Sequence, residues 1–427
     1  MIRWMLDPNA QWVLMGCTLL GISSGLLSSF AMLRRRSLLG DALAHASLPG
    51  VCAAFLLTGE RSIPLFMLGA LVAGILGALF IQGITKYSRI KEDTALGLVL
   101  SVFFAVGIVL LTRILHSNTG TQSGLDKFLF GQAAALIGHD VQVMLGCTAL
   151  ILFVTGMLYK ELKLLCFDPG FAGSLGFPPG LIDGLLNLLL VLIVVVGLQA
   201  VGAILMVALL ITPAAAARFW TSRLSRMVTL SALTGGLSGM LGTGLSTLAP
   251  HLPTGPLIVL SLSFLFVVSL FLAPRRGLIA KSIRLWRLRK KVARENLLRT
   301  LYELAEQQGT WDNAFGVEAL AEFRHLSLRR MLRTLERLRQ EGLVQENRQQ
   351  FQLTHAGLEE AYQVTRNHRL WEMFLMHEEQ LKADHVDRDA DLIEHFLPRE
   401  IVRELEQLMR IHDRQLKLPA SVHPLET

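Results

Sequence analysis

Arg34-Arg35-Arg36-Ser37-Leu38-Leu39-Gly40-Asp41-Ala42-Leu43-Ala44-His45-Ala46-Ser47-Leu48-Pro49-Gly50 sets three arginines against an apolar run that holds one carboxylate and one imidazole. Four residues of α-helix at about 100° each bring Asp41 and His45 to one face, one turn apart. An ionised Asp inside a membrane helix costs roughly 2.5–3.5 kcal/mol on insertion scales, so a functional or paired role is the default reading. Carboxylate oxygen plus imidazole nitrogen suits Mn²⁺, Fe²⁺ or Zn²⁺. Two such pairs in a symmetric dimer would put four ligands around a shared pore. The bland alternative is that Asp41 caps its helix or pairs with the nearby arginines while His45 bonds to backbone.

Working outward, the same contrast of apolar run and basic loop recurs. Apolar runs lie at 11–33, 38–57, 63–84, 94–115, 139–159, 182–217, 227–249 and 255–272, all but the longer 182–217 near the ~20 residues that span a bilayer core. Arg34–Arg36, Lys86 with Arg89 and Lys91, Lys160 with Lys163, and Arg218 with Arg223 and Arg226 are expected on the cytoplasmic side. The loops between them, near 58–62, 116–126 and 249–255, are poor in charge. The alternation requires 182–217 to cross twice, turning near Gly197–Gly202, which gives nine crossings, or eight with a re-entrant piece. The N-terminus is then outside and the C-terminus inside. The first run reads as a retained span, because no basic n-region and cleavage site precede it. Glycines such as Gly69–Gly77 and Gly235–Gly244 read as helix-packing positions.

Composition breaks near residue 273. Of the 427 residues, 52% are hydrophobic and 18% charged, below the roughly 25% charged of soluble domains. Residues 1–272 hold 15 Lys+Arg and 10 Asp+Glu, whereas 273–427 hold 26 and 24. One soluble domain is excluded; a membrane domain with a charge-dense tail is expected. Cys17, Cys52, Cys147 and Cys166 form no CxxC pair, so neither a disulfide framework nor a thiolate metal site is indicated.

Phe167-Asp168-Pro169-Gly170-Phe171-Ala172-Gly173-Ser174-Leu175-Gly176-Phe177-Pro178 is a hydrophobic cytoplasmic loop with a short helical centre, bracketed by Gly and Pro. Such a segment suits docking in a partner's groove. The chain has no Gly-x-x-x-x-Gly-Lys-Ser/Thr loop to cradle phosphate, so any ATPase would be another polypeptide. His116, His139 and His251 fall in external loops and are weighed as metal-capturing residues against scattered polar positions.

The stretch Arg36–Gly50 resembles the signature of the manganese/zinc/iron permeases of the ATP-binding-cassette superfamily. Lys91-Glu92-Asp93-Thr94-Ala95-Leu96-Gly97, Gln199-Ala200-Val201-Gly202 and Ile211-Thr212-Pro213-Ala214-Ala215-Ala216-Ala217-Arg218 resemble later parts of that family. The resemblance implies a homodimer or a pairing with a second permease subunit, an ATP-binding subunit, and an extracytoplasmic metal-binding protein. It implies metal-pathway roles for Asp41 and His45, and an ATPase-coupling role for 167–178.

Residues 275–291 carry Arg275, Arg276, Lys281, Arg284, Arg287, Arg289, Lys290 and Lys291 with no acid, an anchor against anionic membrane lipid. Beyond it, a helix over Glu295–Gln308, a short helix over Val317–Phe323 and a third from a Ser327 cap to about Glu341 precede a strand pair from Gly342 to Thr354. That is the winged helix-turn-helix order, with Arg329, Arg330 and Arg333 as candidate DNA contacts or a solvated face. Asp391, Glu394 and His395 share a helix face, and with His368 they form a candidate Mn²⁺ or Fe²⁺ site.

Leu353-Thr354-x-x-Gly357, Arg366-Asn367-His368-Arg369-Leu370-Trp371-Glu372-Met373-Phe374-Leu375 and Asp391-Leu392-Ile393-Glu394-His395-Phe396-Leu397 resemble the manganese- and iron-dependent repressors of the diphtheria-toxin-repressor family. The resemblance implies metal-ligand roles for His368, Asp391, Glu394 and His395. One departure is plain: the family's acidic ligands on the first helix fall on Asn296 and Arg299.

The expected fold is an all-α polytopic membrane domain of eight or nine transmembrane helices, followed by a cytoplasmic winged helix-turn-helix and a helical dimerisation domain. Its expected parts are 1–273 membrane permease domain, 274–292 basic linker, 293–356 winged helix, 357–416 dimerisation and metal-binding domain, and 417–427 tail. The expected function is metal import across the inner membrane, Mn²⁺ favoured over Zn²⁺ or Fe²⁺ by the oxygen-rich tail ligands, with feedback or transcriptional control. A membrane-anchored metal-dependent regulator is the alternative.

Overall fold

The computed structural model describes residues 8–36, 38–58, 63–116, 136–248, 252–311, 313–324 and 328–378. The chain divides into two compact units, Met1–Lys281 and Ser282–Thr427.

In the first unit the apolar runs become helices: α1 (Pro8–Leu33), α2 (Leu39–Thr58), α3 (Ile63–Tyr87), α4 (Glu92–His116) and α5 (Gly138–Met157). There follow α6 (Tyr159–Phe167), the short α7 (Pro169–Ser174), α8 (Pro179–Val201), α9 (Ala203–Trp220), α10 (Leu224–Ser246) and α11 (Thr254–Leu272). Among the described residues, seven helices are long and apolar enough to cross a membrane: α1 to α5, α8 and α11. The expectation was eight or nine. The difference lies in α9, whose apolar part Leu205–Trp220 is short, and in α10, which is diluted by Gly, Ser and Thr. The long run at 182–217 is broken at Gly202, whose φ of +81° is open to glycine at little cost.

Small residues set the closest packing. A Cβ on Gly235 would collide with the Gly21 carbonyl, and one on Gly239 with the Cys17 carbonyl, so the α1 and α10 backbones touch. On the same stretch of α1, Ser23, Ser24, Ser28 and Ser29 are buried. Their hydroxyls are satisfied, Ser24 by donating to the Leu20 carbonyl (2.7 Å) and Ser29 to Ser231 Oγ (2.9 Å). Gly50 on α2 and Gly69 on α3 make a second backbone contact of this kind. Such contacts supply close van der Waals packing where no water is present to drive association.

The second unit is built on α12 (Leu278–Gln308), β1 (Phe315–Gly316), α13 (Val317–Arg324), α14 (Leu328–Gln340), β2 (Val344–Asn347), β3 (Gln350–Leu353) and α15 (His355–Glu378). Residues 278–292, read from sequence as linker, belong to the same continuous helix as 293–308. The three strands are antiparallel in the order β1-β3-β2, with Phe315 opposite Phe351 and Val344 opposite Leu353. β1 was not expected: two residues show no periodicity. The β2–β3 turn is Arg348-Gln349, both at positive φ (50° and 62°). This is the backbone of a two-residue hairpin usually signalled by Asn-Gly. Leu297, Leu298, Leu301, Leu335, Leu338, Val344, Phe351 and Ala361 form one core. The proposed Ser327 cap lies outside the described residues.

Candidate metal pathway and coupling surface

Helix α2 buries Leu39, Gly40, Ala42, Leu43, Ala44 and Ala46, while Asp41 and His45 stay partly open. Asp41 Oδ1 lies 3.4 Å from His45 Nε2. A tetrahedral ion held at about 2.0–2.2 Å by each donor sets them about 3.3–3.6 Å apart, so the pair is spaced for a shared divalent ion as cargo. Phe104 of α4 meets the His45 ring edge-to-face at 4.9 Å, which orients the imidazole. Spacing alone could not have shown that contact.

Arg34 and Arg36 turn to Asp183 rather than to Asp41. Arg34 Nη2 lies 3.0 Å from Asp183 Oδ1, and Arg36 Nη1 lies 2.7 Å from Asp183 Oδ2. Arg36 also donates to Asn187 Oδ1 at 3.2 Å and pairs with Glu92. Asp183 gathers both guanidiniums onto α8. The carboxylate of Asp41 is left to His45.

The short helical centre expected within 167–178 is present as α7. Phe171 N–H donates to Asp168 Oδ1 at 2.8 Å, so Asp168 caps α7, with Pro169 at its first position. Ala172 is buried, and Phe167, Phe171 and Leu175 are exposed. Gly176 leaves the helix at φ +84°. Phe171 on the six-residue helix, Phe167 just before it and Leu175 just after it thus present three large apolar side chains outward. Of the histidines expected in external loops, His116 Nδ1 donates to the Thr112 carbonyl (2.8 Å), His139 lies in the first turn of α5, and His251 falls outside the described residues. No group of three His, Cys, Asp or Glu side chains converges among the described residues.

Residues 7–273 match the ABC 3 transport family. The chain belongs to that family. Residues 354–414 match the iron dependent repressor, metal binding and dimerisation domain. The manganese transport system membrane protein MntC of Bacillus subtilis is 46% identical over 98% of this chain and 96% of its own length. The zinc transport system membrane protein TroC of Treponema pallidum is 44% identical over 68% of this chain and 96% of its own. Among solved structures, PsaBC from Streptococcus pneumoniae in complex with Fab aligns at TM-score 0.57 and 36% identity, covering 65% of this chain and 98% of that one. This ABC 3 member is therefore a multi-pass membrane permease of a metal-transport kind with a fused repressor-type domain.

In that domain the described half of the expected metal site fits a metal poorly. His368 is buried on α15, while Asp391, Glu394 and His395 lie outside the described residues. On α12, Asn296 Oδ1 is a buried acceptor with no hydrogen-bond partner among the described residues, a single neutral ligand atom. One turn on, Arg299 is a buried guanidinium 3.4 Å from Glu303. Arg369, next to His368, is also buried and donates to Glu306 Oε1 at 3.1 Å. Arg299 thus puts a cation at a position where the family resemblance expects an acidic ligand. Arg329, Arg330 and Arg333 are exposed on α14, opposite its buried Met331, Leu335 and Leu338.

Proposed function

We propose that this chain is the permease subunit of an ATP-binding-cassette importer carrying a divalent transition metal inward across the inner membrane, Mn²⁺ in preference to Zn²⁺ or Fe²⁺. The observation that carries the reading is the Asp41–His45 pair, 3.4 Å apart on α2 and left partly open while Arg34 and Arg36 are engaged by Asp183. A second copy, or a second permease subunit, brings a matching pair to the pathway. Manganese is favoured because the Bacillus subtilis relative, similar over nearly its whole length, is named for manganese transport.

In this reading α9 and α10 cross the membrane with the seven longer helices, giving nine crossings with the N-terminus outside. The segment around α7 docks on a separate ATP-binding subunit through Phe167, Phe171 and Leu175. An extracytoplasmic binding protein delivers the ion. The C-terminal unit is cytoplasmic: a winged helix-turn-helix to about residue 356, then a dimerisation region to about 416. It regulates uptake or transcription. Metal control of that unit would rest on Asp391, Glu394 and His395, because the two α12 positions where the family resemblance expects acidic ligands are Asn296 and Arg299.

The test is uptake of radiolabelled Mn²⁺ and Zn²⁺ by metal-starved cells carrying the chain with its ATPase and binding-protein partners. Uptake of one ion, lost in the Asp41→Ala/His45→Ala variant at equal membrane abundance, is expected. Equal uptake by that variant overturns the pathway assignment. The second reading, a membrane-anchored transcriptional regulator, is favoured only by the exposed arginine face of α14. Sequence-selective DNA retention by the full chain in nanodiscs, lost in Arg329→Ala/Arg333→Ala, would support it.

A further inference from the structure

The first ten residues of α12 carry an arrangement that a helix in water would not keep. Leu278, Ile279, Ile283, Leu285 and Trp286 are each between 42% and 59% exposed. At about 100° per residue, these five fall within one arc of about 160°. Lys281, Arg284, Arg287 and Lys291 fall in the opposite arc, and no Asp or Glu occurs between Ala273 and Arg294. The pattern stops at Arg289 and Lys290, which turn onto the apolar arc, Lys290 with its ammonium over the Trp286 ring. Leu278 to Arg287 is thus a segment about 15 Å long with one apolar and one cationic face.

Its place in the chain selects the occupant. The apolar helix α11 ends at Leu272, and α12 starts at Leu278. A second copy packed on the apolar arc would supply no anion to the opposite, cationic arc. Anionic lipid instead accepts the apolar arc among its acyl chains and the cations at its phosphates, with Trp286 at the headgroup level. We propose that Leu278–Arg287 is an interfacial helix that lies in the leaflet surface and docks on anionic lipid. The inference goes beyond the import reading and rests on it only in placing α11 in the membrane.

The experiment uses the full chain, with Cys147 and Cys166 replaced, reconstituted in vesicles. A nitroxide is placed singly at Ile283→Cys, Trp286→Cys, Arg284→Cys and Arg287→Cys. In vesicles containing phosphatidylglycerol, the labels at 283 and 286 are expected to collide several-fold more with oxygen than with a nickel chelate. The labels at 284 and 287 should show the reverse. In phosphatidylcholine alone, or with Arg284→Glu/Arg287→Glu added to the 283 and 286 labels, the contrast should shrink. Equal nickel access at all four sites in anionic vesicles overturns the proposal, as does shielding of 283 and 286 from both reagents, which would mean a protein partner. Depth in vesicles does not depend on sidedness. Reaction of Arg330→Cys with an impermeant maleimide in intact cells would therefore refute the cytoplasmic placement separately.

Discussion

Arg36 Nη1 lies 2.7 Å from Asp183 Oδ2, joining residues 147 apart in sequence, and Arg34 reaches the other oxygen of the same carboxylate at 3.0 Å. These side chains are at most 20% exposed. Removing one member of such a buried pair leaves an uncompensated charge, at a cost of about 3 kcal/mol. Asp183→Asn is therefore expected to lower the thermal midpoint of the detergent-solubilised protein, read by the onset of aggregation on size exclusion. Arg34→Ala should cost less, because Arg36 still satisfies Asp183. An unchanged midpoint for Asp183→Asn would show that the clasp contributes nothing to assembly.

Gly235→Ala tests the contact between α1 and α10. Its methyl would run into the Gly21 backbone, which has no flexible side chain to give way. Overpacking of this kind costs about 1–3 kcal/mol. Membrane abundance should fall, while Gly244→Ala, with open space around it, should leave abundance as it was.

Asp168→Ala removes the cap of α7 and should cost about 1 kcal/mol locally, while Asp168→Asn keeps an acceptor. In so short a helix that is enough to misplace Phe171. Metal-stimulated ATP hydrolysis by the assembled transporter is expected to drop in the Ala variant and survive in the Asn variant. Phe171→Glu should abolish it at normal abundance.

Tyr302 gives the C-terminal unit an alkaline limit. Its phenol is pushed above the ordinary 10.0, first by burial, then by Glu306, with Arg369 opposing. A raised folded-state pKa means its contribution is whole below pH 10 and is lost as pH rises through the folded value. Amide exchange over 297–305 should accelerate above that pH in the native chain. Tyr302→Phe should remove this part of the pH dependence; identical profiles for the two would refute it.

Much of the fold was legible in the order of residues, for physical reasons that act locally. Long apolar runs between basic loops read as membrane helices because a bilayer penalises every exposed polar group wherever it falls in the chain. The four-residue spacing of Asp41 and His45 fixed their common face because helix geometry does not depend on neighbours. Asp168 followed by Pro169 announced a helix start for the same reason. Gly202 marked the break in the long run at 182–217.

Other features required the tertiary structure. Nothing local says that Arg34 and Arg36 turn to Asp183 rather than Asp41, since ion-pair choice depends on which carboxylate packing brings within reach. The edge contact of Phe104 on His45 joins two helices and has no sequence period. β1 exists only because β3 lies beside it, and the Arg348-Gln349 turn carries none of the usual turn residues. The burial of Arg299 and Arg369, each beside a glutamate, is likewise a product of packing. Sequence by itself determined which segments are long and apolar and which residues share a helix face; the assembled structure alone decided which charges meet, and so that Arg34 and Arg36 engage Asp183 rather than Asp41.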